Sequence, residues 1–197
     1  CDAPRTGARR RVMALLLLIG STFGAQVGAR LSTRLKDDQL KIFLASLVIL
    51  LYLAMAAYFE DKGLEGMANW MEVQFQEEQT HALKIYRYIA ERGGRIELQA
   101  LGQPPKDWDS PLAAFEESLA HEKMVTERIN NLADMSVKAA DHATHNMLQW
   151  FIAEQVEEEA NVDAIVSQLR LVGDQGHGLF MIDRELRGRT FVDETQG

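Results

Sequence analysis

The stretch QFQEEQTHALKIY, residues 74 to 86, sets Glu77 and Glu78 just ahead of His81. On an α-helix, residues three and four apart share a face, so Glu78 and His81 point the same way, with Glu77 beside them. A second acidic run, WFIAEQVEEEAN, spaces Glu154, Glu157 and Glu158 at i, i+3 and i+4, a single stripe with Gln155 in step with Glu158. Between the two runs, AHEKM supplies Glu122. Taken singly, each run reads as a solvated charged face. The apolar residues Trp150, Phe151, Ile152 and Val156 around the second run predict instead that part of its stripe faces inward. A core lined by unpaired carboxylates is too costly to stand, so cations must compensate them. Hard oxygen ligands with one imidazole suit iron or manganese.

These residues need helices to bring them together, and the pattern supplies them. Gly63 and Gly66 bracket a short turn, after which apolar residues recur at helical spacing from about Met67 to Arg92, Trp70, Val73, Leu83 and Ile89 among them. Gly93 and Gly94 end that helix. The connection RIELQALGQPPKDWDS has two adjacent prolines and no sustained period, which predicts a crossover loop. Ser110 is then placed to cap a third helix with Pro111 in its first turn, running to about Val137 with Glu117 further in. A fourth helix spans roughly 142 to 172, and the glycine-rich hinge GDQGHG precedes a short fifth near 179 to 188. With no strand signal, the fold is all-α: a four-helix bundle with one long crossover and a short C-terminal cap helix.

Charge is unevenly placed along the 197 residues. Residues 1 to 34 carry a net +5 and the remainder −13, and a strongly acidic body disfavours nucleic acid while attracting cations. The only cysteine is Cys1, so there is no intrachain disulfide or cysteine metal site. Two uncharged runs of 18 residues, 12 to 29 and 42 to 59, stand at the lower edge of membrane-spanning length, and the first follows Arg9, Arg10 and Arg11 as a signal peptide or a short span does. Cys1 in place of methionine gives the expectation that the chain is a fragment of something longer. The domain reading is accordingly a basic and apolar segment at 1–34, signal-like or membrane-like, followed by a metal-binding bundle at 35–197, with membrane association through the N-terminal runs.

From YLAMAAYFEDKGLEGMANWM through EEQTH, PPKDWDSPL, AHEK and WFIAEQVEEEA to LFMIDREL, the chain resembles the prokaryotic ferritins over about residues 52 to 192, about 70% of its length. The ferritin-like resemblance implies a cytoplasmic iron-storage and detoxification protein. Its expected partners are Fe(II) and dioxygen or hydrogen peroxide. Its di-iron centre would oxidise Fe2+ to Fe3+, a ferroxidase activity, and a homo-oligomeric shell of 24 subunits would store the mineral. Carried over residue by residue, Glu78 bridges two irons, His81 binds the first, and Glu122 and Glu158 complete the second with Gln155 close by. Glu77, Glu154 and Glu157 match an additional third-iron site, and Tyr52 matches the tyrosine beside the centre. The preceding run GSTFGAQVGARLSTRL resembles the closing segment of a sulfite-exporter-type permease.

One departure stands out. The family places a glutamate seven residues before the tyrosine as a ligand of the first iron, and that position here is Ala45. Asp38 is a further two turns away, roughly 10 Å by helical rise, too far to substitute. The first iron site is therefore expected to be impaired, which leaves a non-catalytic, membrane-anchored or fused metal-binding fragment as the competing reading. A rubrerythrin-type peroxidase is disfavoured, because the fourth helix has E-x-x-E in place of E-x-x-H. His142 and His145 read as surface residues, and His121 as a neighbour of the centre or a surface group in preference to a ligand.

From Ile42 to Leu51 every residue except Ser46 is apolar, on the far side of the first helix as well as the bundle side. Each exposed large apolar side chain forgoes about 1.5–3 kcal/mol of burial, a drive toward another apolar surface. The full chain is expected to sediment with membranes or aggregate, whereas a chimaera carrying an amphipathic first helix up to residue 51 assembles. Size-exclusion chromatography with light scattering, without detergent, distinguishes the two; a monodisperse shell from the unmodified chain overturns the membrane reading.

Overall fold

The computed structural model describes residues 49–96, 102–173 and 176–193. Five helices follow in order: α1 (Ile49–Asp61), α2 (Glu65–Glu91), α3 (Pro111–Lys138), α4 (His142–Val172) and α5 (Gly176–Leu186), with no strand among the described residues. Helices α1 to α4 make the bundle, α1 packing along α2 and α3 along α4, and α5 closes one end against α2 and α4. The segment 1–34, Ala45 and most of the apolar first-helix run lie outside the described residues. Within them no helix is long and apolar enough to cross a membrane. On α1, Leu50 and Leu53 are exposed while Leu51, Tyr52, Met55 and Phe59 are buried.

The helix limits follow from local chemistry. Ser110 is extended and its hydroxyl accepts from the Ala113 amide at 3.1 Å, with Pro111 supplying a preset φ at the first position of α3. Asp141 does the same for α4, accepting from the Thr144 amide at 3.2 Å. Gly93, with φ +71°, ends α2 in a left-handed turn whose amides return to Ala90 and Ile89. Two expectations shift. The fifth helix starts at Gly176, inside the glycine run read as a hinge, because glycine only weakens a helix that tertiary packing holds. Gly66 is a helical residue of α2 and not a turn residue; a Cβ there would lie 1.6 Å from the Asp183 carbonyl oxygen of α5.

That close approach locks α5 to the start of α2. Asp183 Oδ1 accepts from the Met67 amide at 2.9 Å, satisfying a donor that the helix start leaves free. Asn69 Nδ2 donates to the carbonyls of Leu186 at 3.3 Å and Arg189 at 3.0 Å, so the chain beyond α5 is held as well. The core falls into two apolar groups. One gathers Tyr52, Met55, Phe59, Met71, Phe115, Leu119, Val162 and others; the second gathers Ile85, Ile89, Val125, Ile129 and Phe151. On each of α2, α3 and α4 a polar step separates them: Gln74, Glu78 and His81 between Met71 and Ile85; Glu122 between Leu119 and Val125; Gln155 and Glu158 between Phe151 and Val162.

Gly66→Ala must push α5 off α2, since the obstacle, the Asp183 carbonyl, is backbone and cannot rotate away. A destabilisation of about 1–3 kcal/mol or more is expected, the range for an overpacked core. Chemical denaturation of the variant against the parent measures it, with an unchanged midpoint contradicting the contact.

Candidate metal centre

The polar step is the site. Glu78 and His81 from α2, Glu122 from α3 and Glu158 from α4 are each no more than 4% exposed. Ligand atoms of Glu78, His81 and Glu158 lie within 4.8 Å of one another. Two ligands bound to one ion at about 2.1 Å are at most about 4.2 Å apart, so the set either closes by a few tenths of an ångström on one ion or spans two. The imidazole is turned with purpose: Nδ1 is 3.7 Å from Glu78 Oε1, and Nε2 is 4.0 Å from Glu154 Oε1. One ring nitrogen thus faces Glu78 while the other faces Glu154, both at separations longer than a hydrogen bond. Trp150 and Phe151 close around the ring edge-on, at centroid distances of 5.3 and 6.1 Å.

Neutral donors orient the remaining carboxylates. The Tyr52 hydroxyl donates to Glu122 Oε1 and accepts from Ser118 Oγ at 3.2 Å. Gln155 Nε2 donates to Glu122 Oε2 at 3.2 Å, and Gln74 Nε2 donates to Glu158 Oε2 at 2.6 Å. Burial pushes Glu78 up to about 8, helped by the charges of Glu77 and Glu154. Glu122 and Glu158 rise to about 7, again through burial first, then through the charge of Glu78 on Glu122 and the charges of Glu122 and Glu78 on Glu158. The hydrogen bonds from Tyr52 and Gln155 to Glu122 and from Gln74 to Glu158 lower these two in turn, as charge on His81 does, by less than burial raises them. Burial beside Glu122 also holds the Tyr52 hydroxyl well above its ordinary range, so it stays a donor. A core that strains three carboxylates toward the protonated form is one that a divalent cation relieves.

Of the residues expected to belong to the centre, Tyr52, Glu78, His81, Glu122, Gln155 and Glu158 converge. Glu154 is half-buried beside His81; Glu77 is half-buried and paired with Arg189; Glu157 is exposed. Sequence reasoning missed Gln74, Ser118 and Arg189. Gln74 stands four residues before Glu78, and Ser118 four before Glu122, so helical register places both on the ligand face and was the available signal. His121 is buried, not a surface group, and burial lowers it to about 4, ahead of the effect of Arg128, so it is neutral. His142 is exposed, as expected, while His145 is half-buried within 3.4 Å of Ser136 Oγ.

Fold and site together define an all-α bundle with a carboxylate–imidazole cluster buried midway along its core. The model of the ferritin-like domain family matches residues 38–172, and the chain belongs to the ferritin family. It is 41% identical over 143 residues to the bacterial non-heme ferritin of Staphylococcus aureus, an alignment covering 73% of this chain and 86% of that protein. The Staphylococcus haemolyticus ferritin is 40% identical over the same share. Among solved structures, an open-pore ferritin from the hyperthermophilic archaeon Archaeoglobus fulgidus superposes with a TM-score of 0.77 at 47% identity, covering 80% of this chain and 98% of that one. An engineered closed form of that ferritin gives 0.75 at 48% identity, covering 81% and 96%.

Carboxyls whose folded pKa lies above the unfolded value bind protons more tightly when folded. Their contribution is therefore fully present below the unfolded value of about 4.5 and is lost as pH rises through 7 to 8. Without metal, stability is expected to fall across that window, while saturating Zn(II) flattens or reverses the trend and its binding releases protons. Thermal unfolding from pH 5 to 9, with and without Zn(II), checks the sign.

Proposed function

We propose that this chain is an iron-storage ferritin subunit that takes Fe(II) into its buried centre, oxidises it and passes the ferric product to mineral inside a homo-oligomeric shell. One observation carries the reading: three carboxylates and an imidazole from three helices meet in an apolar-walled core, where a multivalent cation balances the carboxylates once they ionise. Glu78, lying between the two halves of the cluster, bridges a pair of Fe(II) ions. His81 binds the first through Nδ1, and Glu122 and Glu158 bind the second. Tyr52 and Gln155 hold Glu122 in place from opposite oxygens. Two Fe(II) ions each give one electron to one dioxygen, which takes two protons and leaves as hydrogen peroxide; the ferric ions then hydrolyse to oxyhydroxide and release protons. Glu77, Glu154 and Glu157 form the outer, third position for iron.

The first iron position is the weak one, since Ala45 stands where the resembled family has a carboxylate. Glu122→Ala and Glu158→Ala are each expected to weaken the second metal by about tenfold to a hundredfold or more, the loss that even outer partners of metal ligands produce. Anomalous diffraction from crystals soaked in Fe(II) or Zn(II) tests occupancy; an empty second position at millimolar metal overturns the assignment. Ala45→Glu is expected to speed ferroxidation in stopped-flow absorbance, and equal rates mean that the first position needs no such carboxylate.

A further inference from the structure

Arg189 reaches the centre from outside the four-helix bundle. Its backbone carbonyl is held by Asn69, and its guanidinium lies 4.4 Å above the Trp70 ring. From there Nη1 donates to Gln74 Oε1 at 2.8 Å and Nη2 pairs with Glu77 Oε2. The ion pair is largely sheltered, with side-chain exposures of 19% for Arg189 and 17% for Glu77. Gln74 is wholly buried and uses its other end, Nε2, on Glu158. One cation supplied by the C-terminal segment therefore touches a carboxylate at the rim of the cluster and the amide that orients a carboxylate inside it.

Resting on the iron-storage reading, we propose that Arg189 is a tethered counter-cation: it holds the cation position at Glu77, and a metal ion can take that carboxylate only by displacing it. A guanidinium cannot be deprotonated in a protein, so the position is filled at every pH. Its attachment to α5, which is itself locked on α2, gives it a high effective concentration at Glu77 that free metal must overcome. A divalent ion brings twice the charge and direct bonds, so displacement happens once metal is abundant. The outer position then fills last. Displacement also frees Gln74 Oε1, so the donor on Glu158 loosens as the third ion arrives, and outer loading is felt at the inner pair. A purely structural arginine would tie the C-terminal segment down without opposing metal.

The test uses Zn(II), which does not change oxidation state, titrated calorimetrically into the full chain, with hydrogen exchange of residues 187–193 followed in parallel. In the parent, a third Zn(II) per chain is expected to bind after the inner two, and exchange in 187–193 to rise as it does. In Arg189→Gln the third ion binds about tenfold or more tightly, on the scale by which groups neighbouring metal ligands alter affinity, while Arg189→Lys, which keeps the charge, stays close to the parent. Unchanged third-ion affinity in Arg189→Gln with the inner ions still bound overturns the inference alone. Uptake of a third ion by the parent with no change in exchange at 187–193 also overturns it, and needs no variant to fold. Failure of the parent to bind any Zn(II) overturns both this inference and the iron-storage reading.

Discussion

Like-charge crowding in a low-dielectric core is the constraint on which the rest of this structure depends. Glu78, Glu122 and Glu158 lie where burial alone raises the cost of ionisation, and neighbouring carboxylates add to it: Glu77 and Glu154 for Glu78, Glu78 for Glu122, and Glu122 and Glu78 for Glu158. An apolar core gains nothing from such a layer; replacing it with well-packed aliphatics would be neutral or better for stability. The layer persists between two complete apolar clusters, which together carry the burial that holds the bundle. The division of labour is visible along each helix. Residues one or two turns to either side of a ligand are core, and the ligand step is left free to meet a cation.

Around that step the structure uses hydrogen-bond donors that carry no charge. Tyr52, Ser118, Gln155 and Gln74 satisfy lone pairs on Glu122 and Glu158 directly or through one another. Neutral donors fix carboxylate orientation without neutralising it, so affinity for metal is kept while the rotamer freedom that binding would otherwise remove is already lost. A lysine or arginine in the same place would stabilise the empty protein and compete with the metal. The guanidinium that does approach, Arg189, is set one residue outside the inner cluster, on Glu77. The guanidinium compensation is thereby confined to the rim.

Helix limits were legible in the sequence because they rest on local rules, and the residues that converge in the candidate site were legible from the acidic stripes together with the ferritin resemblance. Ser110–Pro111 at a helix start and Gly93–Gly94 at a helix end act within four residues, and the acidic stripes declare themselves by i, i+3, i+4 spacing. Gln74 and Ser118 were legible in principle, one turn from a ligand, but amides and hydroxyls occur on helix surfaces too often for register alone to single them out. Arg189 was not legible. It lies 112 positions from Glu77 in the chain, and its place is set by the contact of Gly66 with Asp183, an event of packing between helices that no local pattern encodes. The misreading of Gly66 has the same origin: glycine as a turn former and glycine as a site of close helix approach look alike until the neighbour is known.

The two halves of the cluster are finished differently, and this bears on how metal loads. Glu122 and Glu158 are held by tyrosine and amide donors, so their geometry exists before any ion arrives. Glu78 and His81 are flanked mainly by charge, from Glu77 and Glu154, and Glu78 carries the largest rise of the three carboxyls. An ion approaching the first half must displace the proton of Glu78, whose ionisation is opposed by burial and by the charges of Glu77 and Glu154. An ion approaching the second half finds ligands already oriented. Once it binds there, its charge lowers the cost of ionising Glu78, which is shared between the halves, and so prepares the first position. If the cluster takes two ions as proposed, preorganisation on one side and electrostatic dependence on the other favour loading of the second position before the first.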